Sequence, residues 1–372
     1  MADPRVAELA DVLVNYSTQV KKNETVVIQC VGVETVPIIK ELHKLCVKKG
    51  AKEVVYRLAI PDVDRDFYLY ANKNQLEYFP QHEMNFMKET DVFIGVRAQD
   101  NSMTYANVDG KKMNLHGKTT YPILNERVNN TRWVVTRFPT QSAAQEAGMS
   151  LEEFEDFFFA CTIYDYKALK KRQAKLASLM TKTKQVHIKS SDTDLRFSIE
   201  GLPAISCHGD KNIPDGEVYT APVRNSVEGY IKYNAPSVYQ GKEFNNVYLE
   251  FKEGKIVKAD AGALTKAIND IFNTDEGARY VGEFAIGTNT SITKPMKNIL
   301  FDEKIFGSFH FTPGMAYDDC DNGNRSAVHW DLVKLLTGDG EIWFDGKLIQ
   351  KNGIFVHPSL TALNPEGTKL PK

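Results

Sequence analysis

Thr25-Val26-Val27-Ile28-Gln29-Cys30 is a nearly unbroken apolar run of strand length. A strand that is apolar on both faces belongs inside a parallel sheet. Before it, Val6, Leu9, Ala10, Leu13 and Val14 recur at helical spacing, so Asp3 to Val20 reads as an amphipathic helix. After it, Val36 to Lys49 reads as a second helix, stopped by Gly50. Glu53 to Ala59, Asp91 to Val96 and Arg132 to Thr136 repeat the strand pattern. Ser150-Leu151-Glu152-Glu153 opens a helix through Phe159 with a capping box, and Asp165 to Thr181 reads as a long basic helix. Strands alternating with helices predict an α/β fold with a doubly wound parallel sheet.

Beyond about Lys184 the pattern becomes strand-rich. Val186 to Ser190 and Asp194 to Ile199 read as a hairpin. Val247 to Phe251 and Ile256 to Ala259 flank Lys252-Glu253-Gly254-Lys255, and Glu341 to Phe344 and Lys347 to Gln350 flank Asp345-Gly346. These are hairpin turns of an antiparallel sheet. Helices are expected near Leu264 to Phe272 and Met296 to Phe301. The chain therefore divides into an α/β scaffold domain over 1–183 and a strand-rich α/β domain over 184–372.

The 372 residues carry 46 basic and 48 acidic side chains, a net charge of −2 that offers no pull toward nucleic acid or anionic lipid. The longest stretch without a charged residue, Asn352 to Pro365, is too short to span a bilayer. Asp3, Arg5, Glu8 and Asp11 precede any apolar run, which argues against a secretory signal. Five cysteines without a CxxC pair read as reduced thiols, so a cytoplasmic protein is expected.

The first half holds neither a GxGxxG nor a P-loop pattern and reads as scaffold. The second half is rich in potential metal ligands. If Ser326 to Leu336 is a strand with Val328, Trp330 and Leu332 on one face, His329 and Asp331 share the other. They then either chelate a cation or hydrogen-bond each other. His310, between Phe309 and Phe311, projects opposite two aromatic rings as a ligand or a satisfied core residue. Glu217 and Glu283 lie in apolar segments, where a carboxylate needs a partner, a divalent cation or a lysine or arginine. As a set, three carboxylates and two imidazoles suit zinc, manganese or cobalt, with one carboxylate bridging a pair of ions. No thiolate is needed.

At these residues the chain resembles the thermophilic metalloaminopeptidase family, the aminopeptidase T and aminopeptidase S group. The resemblance runs over essentially the whole chain. It is most specific at Ile213-Pro214-Asp215-Gly216-Glu217-Val218, at Gly282-Glu283-Phe284-Ala285-Ile286-Gly287-Thr288-Asn289, at His310 with Tyr317, and at Val328-His329-Trp330-Asp331. It implies that Glu217, Glu283, His310, His329 and Asp331 hold two divalent metal ions per subunit (zinc, cobalt, manganese or magnesium). It further implies that Tyr317 lies at the reaction centre and that Glu217 or Glu283 shuttles a proton. The expected activity is release of N-terminal residues from peptides with a free N-terminus by a metal-activated water. The expected architecture is a flavodoxin-like first domain, an α/β second domain and a homodimer. The segment Asp318 to Arg325 is shorter than is usual for the family. Two alternatives remain open: a non-haem Fe(II) ring-cleaving dioxygenase built on His310, His329 and Asp331, and a non-catalytic metal-binding dimer.

Overall fold

A computed structural model describes residues 3–98 and 100–370. The apolar run forms strand β1 (Thr25–Val31), paired in parallel with β2 (Glu53–Ala59) and β3 (Val92–Arg97); β3 pairs in parallel with β4 (Arg132–Arg137). The sheet order is β2-β1-β3-β4, extended beyond β4 by the two-residue strand Asn212–Ile213. Val26, Ile28, Cys30, Ile94 and Val96 are fully buried, as a central parallel strand requires.

The first helix runs Pro4–Asp11, capped by the Asp3 carboxylate accepting from the Arg5 N–H at 2.9 Å, and continues as a π-helix over Val12–Ser17. It stops short of Val20 because Gln19 adopts a positive φ of 49°. A 21-residue helix, Gly110–Asn130, has no fully buried residue and meets the core through the partly buried Ile123, a weak stripe for periodicity to reveal.

Two compact units emerge. One is the chain up to Tyr164 together with Gly209–Ile213; the other is Asp165–His208 together with the chain from Pro214. The helix Tyr166–Lys182, on the first-domain side of a division at residue 183, packs in the second unit. Its Leu176 and Met180 enter the same apolar cluster as Val186, Ile188 and Phe197. Its buried Gln173 amide donates to the carbonyls of Cys207 and Glu217 and to Thr288 Oγ1.

The second unit contains an eight-stranded and a five-stranded antiparallel sheet. The three expected hairpins lie in the larger one, as Gln185–Ser190 with Thr193–Ser198, Tyr248–Lys252 with Lys255–Asp260, and Glu341–Phe344 with Lys347–Lys351. Glu253 and Gly254, and Asp345 and Gly346, all have positive φ, the requirement of a tight two-residue turn. The smaller sheet consists of β5 (Ile205–Cys207), β6 (Glu217–Thr220), β7 (Val281–Gly287), β8 (Ser308–Pro313) and β9 (Val333–Leu335), in the order β9-β8-β7-β6-β5. Phe197 of the larger sheet packs 4.9 Å, ring to ring, from both Phe284 and Phe311 of the smaller.

The helix expected near Leu264 to Phe272 is present as Thr265–Phe272, preceded by a 3-10 turn that includes Leu264. The one expected over Met296 to Phe301 is a single turn, Ile299–Asp302, because Lys297 has a positive φ of 60° and Asn298 caps the turn. Ser326 to Leu336 is a strand only from Val333; before it, His329 forms an isolated bridge with Gly314.

Candidate metal centre

The smaller sheet sorts its side chains by alternation. Val218, Phe284, Ile286, Phe309 and Phe311 enter the large apolar cluster. On the opposite face, β7 pairs with β8 through Glu283↔Thr312 and Ala285↔His310, and with β6 through Gly287↔Glu217 and Ala285↔Tyr219. Glu217, Glu283 and His310 are thus delivered to one side of three adjacent strands.

Glycines in the two carboxylate segments have steric reasons. Gly216 has φ 139°, and a Cβ there would meet the Asn289 Cβ at 2.8 Å. The Pro-Asp-Gly turn before Glu217 is tied to the end of β7 by Thr288 N–H donating to Gly216 O and Asn289 Nδ2 donating to Asp215 O. Gly282 sits in a bulge of β7, where a Cβ would overlap the carbonyls of Gly314 and Met315. Gly287 leaves room for the Ile305 carbonyl.

His310 Nε2 lies 3.1 Å from Glu283 Oε1 and 3.4 Å from Glu217 Oε2. His329 Nε2 lies 3.4 Å from Glu283 Oε2 and 3.3 Å from Asp331 Oδ1. Two groups able to hold a cation result: Glu217, Glu283 and His310, and Glu283, His329 and Asp331, each with ligand atoms within 4.8 Å of one another. Glu283 belongs to both. His310, His329 and Asp331 do not form one such group among the described residues.

The donor set fits divalent cations. Among the described residues, Glu217 Oε2 and His329 Nε2 are buried without a hydrogen-bond partner, a costly arrangement unless something polar completes it. Both imidazoles use Nδ1 on a main-chain carbonyl, His310 on Glu303 O (3.2 Å) and His329 on Met315 O (2.9 Å). A carbonyl only accepts, so Nδ1 carries the proton and Nε2 turns to the carboxylates, the orientation of a metal-ligating histidine. Thr312 Oγ1 donates to Asp331 Oδ1 at 2.7 Å and fixes that carboxylate in the same way.

The electrostatics are those of a crowded acidic site. Burial pushes the Glu217 carboxyl up, against the opposing charges of Lys304 and His310. Burial also acts on Glu283, but the hydrogen bond from His310 and the adjacent His329 imidazole outweigh it and hold this carboxyl below its usual range. Asp331 is likewise held well down by the charge of His329 despite burial. Burial opposes the charge on His329, yet Asp331 and Glu283 raise its imidazole to about 11. His310 is raised by the same carboxylates. Both shifts favour positive charge at the imidazoles, the charge that a divalent cation would supply in its place.

Tyr317 lies at the rim, half-exposed, with its ring 4.8 Å from that of His329 and 5.7 Å from that of Tyr219. Burial against the site and the charges of Glu283, Asp331 and Glu217 raise its phenol well above the ordinary value. The acidic loop beyond it is held by Arg325, which reaches Asp321 at 2.6 Å. A third group, Cys207, Asp215 and Glu217, also gathers ligand atoms. Lys304 Nζ, 3.8 Å from Glu217 Oε1, opposes a further cation there. Lys304 and Gln173 carry no sequence signal of a place near the site, whereas Thr312 shares the face of His310 by strand alternation. Lys304 in Asp302-Glu303-Lys304 reads as surface charge, and Gln173 sits in a basic helix.

An α/β chain that gathers this carboxylate and imidazole set in one buried cluster has the donor groups of a divalent metal centre. The sequence pattern of the thermophilic metalloprotease family M29 matches residues 2–353, and the chain belongs to that family. Aminopeptidase PepS of Streptococcus thermophilus is 26% identical over 391 residues, covering 91% of this chain and 92% of that protein. Wild-type AmpT from Thermus thermophilus has the same fold, with a TM-score of 0.82 at 21% identity over 95% of this chain and 99% of that one. A 2,5-dihydroxypyridine dioxygenase from Pseudomonas putida is a more distant likeness, with a TM-score of 0.61 at 13% identity over 96% and 98% of the two chains.

Proposed function

We propose that this chain is a dinuclear metal-dependent aminopeptidase that releases N-terminal residues from peptides with a free N-terminus. The observation that carries this reading is the place of Glu283 in both ligand groups, the role of a carboxylate shared by two ions. Relatives that align over nearly their whole length are named aminopeptidases. In this reading Glu217 and His310 hold one ion, His329 and Asp331 the other, and Glu283 both. Zinc, cobalt, manganese and magnesium are the candidates. Bound ions supply a water that ionises near neutral pH and a Lewis acid for the scissile carbonyl.

The chain's own residues do the rest. Glu217 accepts and returns a proton in this reading, through the oxygen that is not given to the ion. Tyr317, whose phenol stays protonated, donates a hydrogen bond to the oxygen that gains charge. Thr312 and the carbonyls of Glu303 and Met315 keep Asp331, His310 and His329 oriented. The strand-rich second unit, which takes in the helix Tyr166–Lys182 ahead of the expected division at residue 183, carries the chemistry, and the first unit is a flavodoxin-like scaffold. The protein works in the cytoplasm as a homodimer; exposed Tyr121, Leu124 and Val128 on the helix Gly110–Asn130 fit a partner surface. No nucleic acid or membrane is involved: the charge is nearly balanced, and among the described residues no helix is long and apolar enough to cross a bilayer.

The test is a peptidase assay on protein stripped by a chelator and reloaded with Co²⁺ or Zn²⁺. Unblocked dipeptides are cleaved and their N-acetylated counterparts are not. Oxygen uptake with Fe²⁺ and a dihydroxypyridine, without peptide cleavage, overturns the reading in favour of the dioxygenase.

A further inference from the structure

Lys304 is wholly buried, and the chemistry above does not use it. A buried ammonium is tolerated only beside counter-charge. Its neighbours are Glu303, next to it in the chain, and Glu217, whose Oε1 is 3.8 Å from Nζ. The other oxygen of Glu217, Oε2, faces His310 Nε2 at 3.4 Å. The carboxylate is thus divided, one oxygen to the ammonium and one to the ligand group.

The segment bearing Lys304 is fastened to the end of β7. Asn289 N–H donates to Lys304 O at 3.2 Å, and Asn289 and Ile305 form a bridge. Gly287, directly across the ladder from Glu217, admits the Ile305 backbone. The preceding residue, Glu303, offers the carbonyl that orients His310. Two consecutive residues therefore fix two of the three members of one ligand group, a carboxylate through a side chain and an imidazole through the main chain.

We propose that Lys304 is a positioning residue that engages Glu217 Oε1, so that only Oε2 reaches the space shared with His310 and Glu283. A carboxylate unrestrained beside a divalent cation can close on it with both oxygens. One so restrained contributes a single oxygen and leaves a coordination position open for water. This inference deepens the aminopeptidase reading and rests on it.

The test compares the wild type with K304M, which keeps the unbranched apolar stem of the side chain and removes its charged end. Metal-free protein is titrated with Co²⁺ and followed by visible absorption, which reports coordination number independently of turnover. Bound ions, kcat and KM are measured on the same samples. K304M is expected to retain two ions, to change the cobalt spectrum over the first equivalent, and to lose kcat by about 10- to 100-fold with KM within about twofold. A spectrum and kcat equal to the wild type overturn the assignment. If K304M does not fold, K304Q is read in its place. Wild-type protein that gives the cobalt spectrum but cleaves no peptide defeats the aminopeptidase reading, and the spectral comparison still decides the role of Lys304.

Discussion

One carboxylate oxygen of Glu283 lies 3.1 Å from His310 Nε2, and the other is turned to His329 Nε2 at 3.4 Å. A single side chain thus joins two ligand groups contributed by segments spread along the chain from Glu217 to Asp331. Removing it should disable both. Glu283→Gln is expected to bring bound metal below one ion per chain and to lower kcat by on the order of 10³-fold or more. Asp331→Asn, which touches one group only, should leave about one ion bound. Elemental analysis after gel filtration measures both. Equal metal loss in the two variants counts against a shared carboxylate.

In the proposed reading Tyr317 donates a hydrogen bond without holding an ion. Tyr317→Phe should leave metal content unchanged, lower kcat by about 10²-fold, and change KM by no more than about twofold. Steady-state kinetics on an unblocked peptide decides it, and a kcat close to the wild type assigns Tyr317 to packing alone.

Gly282 permits the bulge that sets Glu283 opposite Thr312. Gly282→Ala drives a Cβ into the carbonyls of Gly314 and Met315, main-chain atoms that cannot rotate away. A loss on the order of 3 kcal/mol is expected, seen as a lower thermal transition in calorimetry, together with weaker metal binding. An unchanged transition shows that the strand relaxes freely.

Lys334, buried in β9, is neutralised by Asp192 at 2.5 Å and also donates to Lys232 O at 2.8 Å. Asp192→Asn leaves the ammonium without counter-charge. The expected cost is about 2 kcal/mol, below the usual range for a buried pair because Asp192 is partly exposed. Burial opposes the Asp192 charge, but the Lys334 hydrogen bond prevails and holds its carboxyl below the ordinary value. The folded state therefore binds this proton less tightly than the unfolded state does. The stabilisation is complete above the unfolded carboxylate pKa and is lost as pH falls through the depressed folded value. Urea titrations from neutral pH down to about 3 should show wild type and D192N converging in acid. A gap that persists at the lowest pH excludes the ion pair as its source.

Local pattern was legible wherever a side chain's environment depended on its chain neighbours. The parallel strands around Val26 to Cys30, the Glu253-Gly254 and Asp345-Gly346 turns and the flanking of His310 by Phe309 and Phe311 all follow from alternation and turn chemistry. The five chemical side chains stood out for the same reason, as polar residues in apolar or glycine-bounded runs, with the family resemblance supplying their grouping. Even where Ser326 to Leu332 departs from regular strand, Val328, Trp330 and Leu332 are buried, and His329 and Asp331 still approach to 3.3 Å.

The amino-acid sequence by itself determined the α/β class, the strands and hairpins, and the chemical inventory, because these rest on periodicity and on φ preferences within a few residues. Only the tertiary structure decided how that inventory is divided. The ladder register and the bulge at Gly282 set Glu283 between the two histidines. Packing moved the helix Tyr166–Lys182 into the second unit, and it buried Lys304, an ordinary charged residue in the sequence, against Glu217. Those outcomes depend on contacts between segments far apart in the chain, where a one-residue change of register would send every side chain to the opposite face.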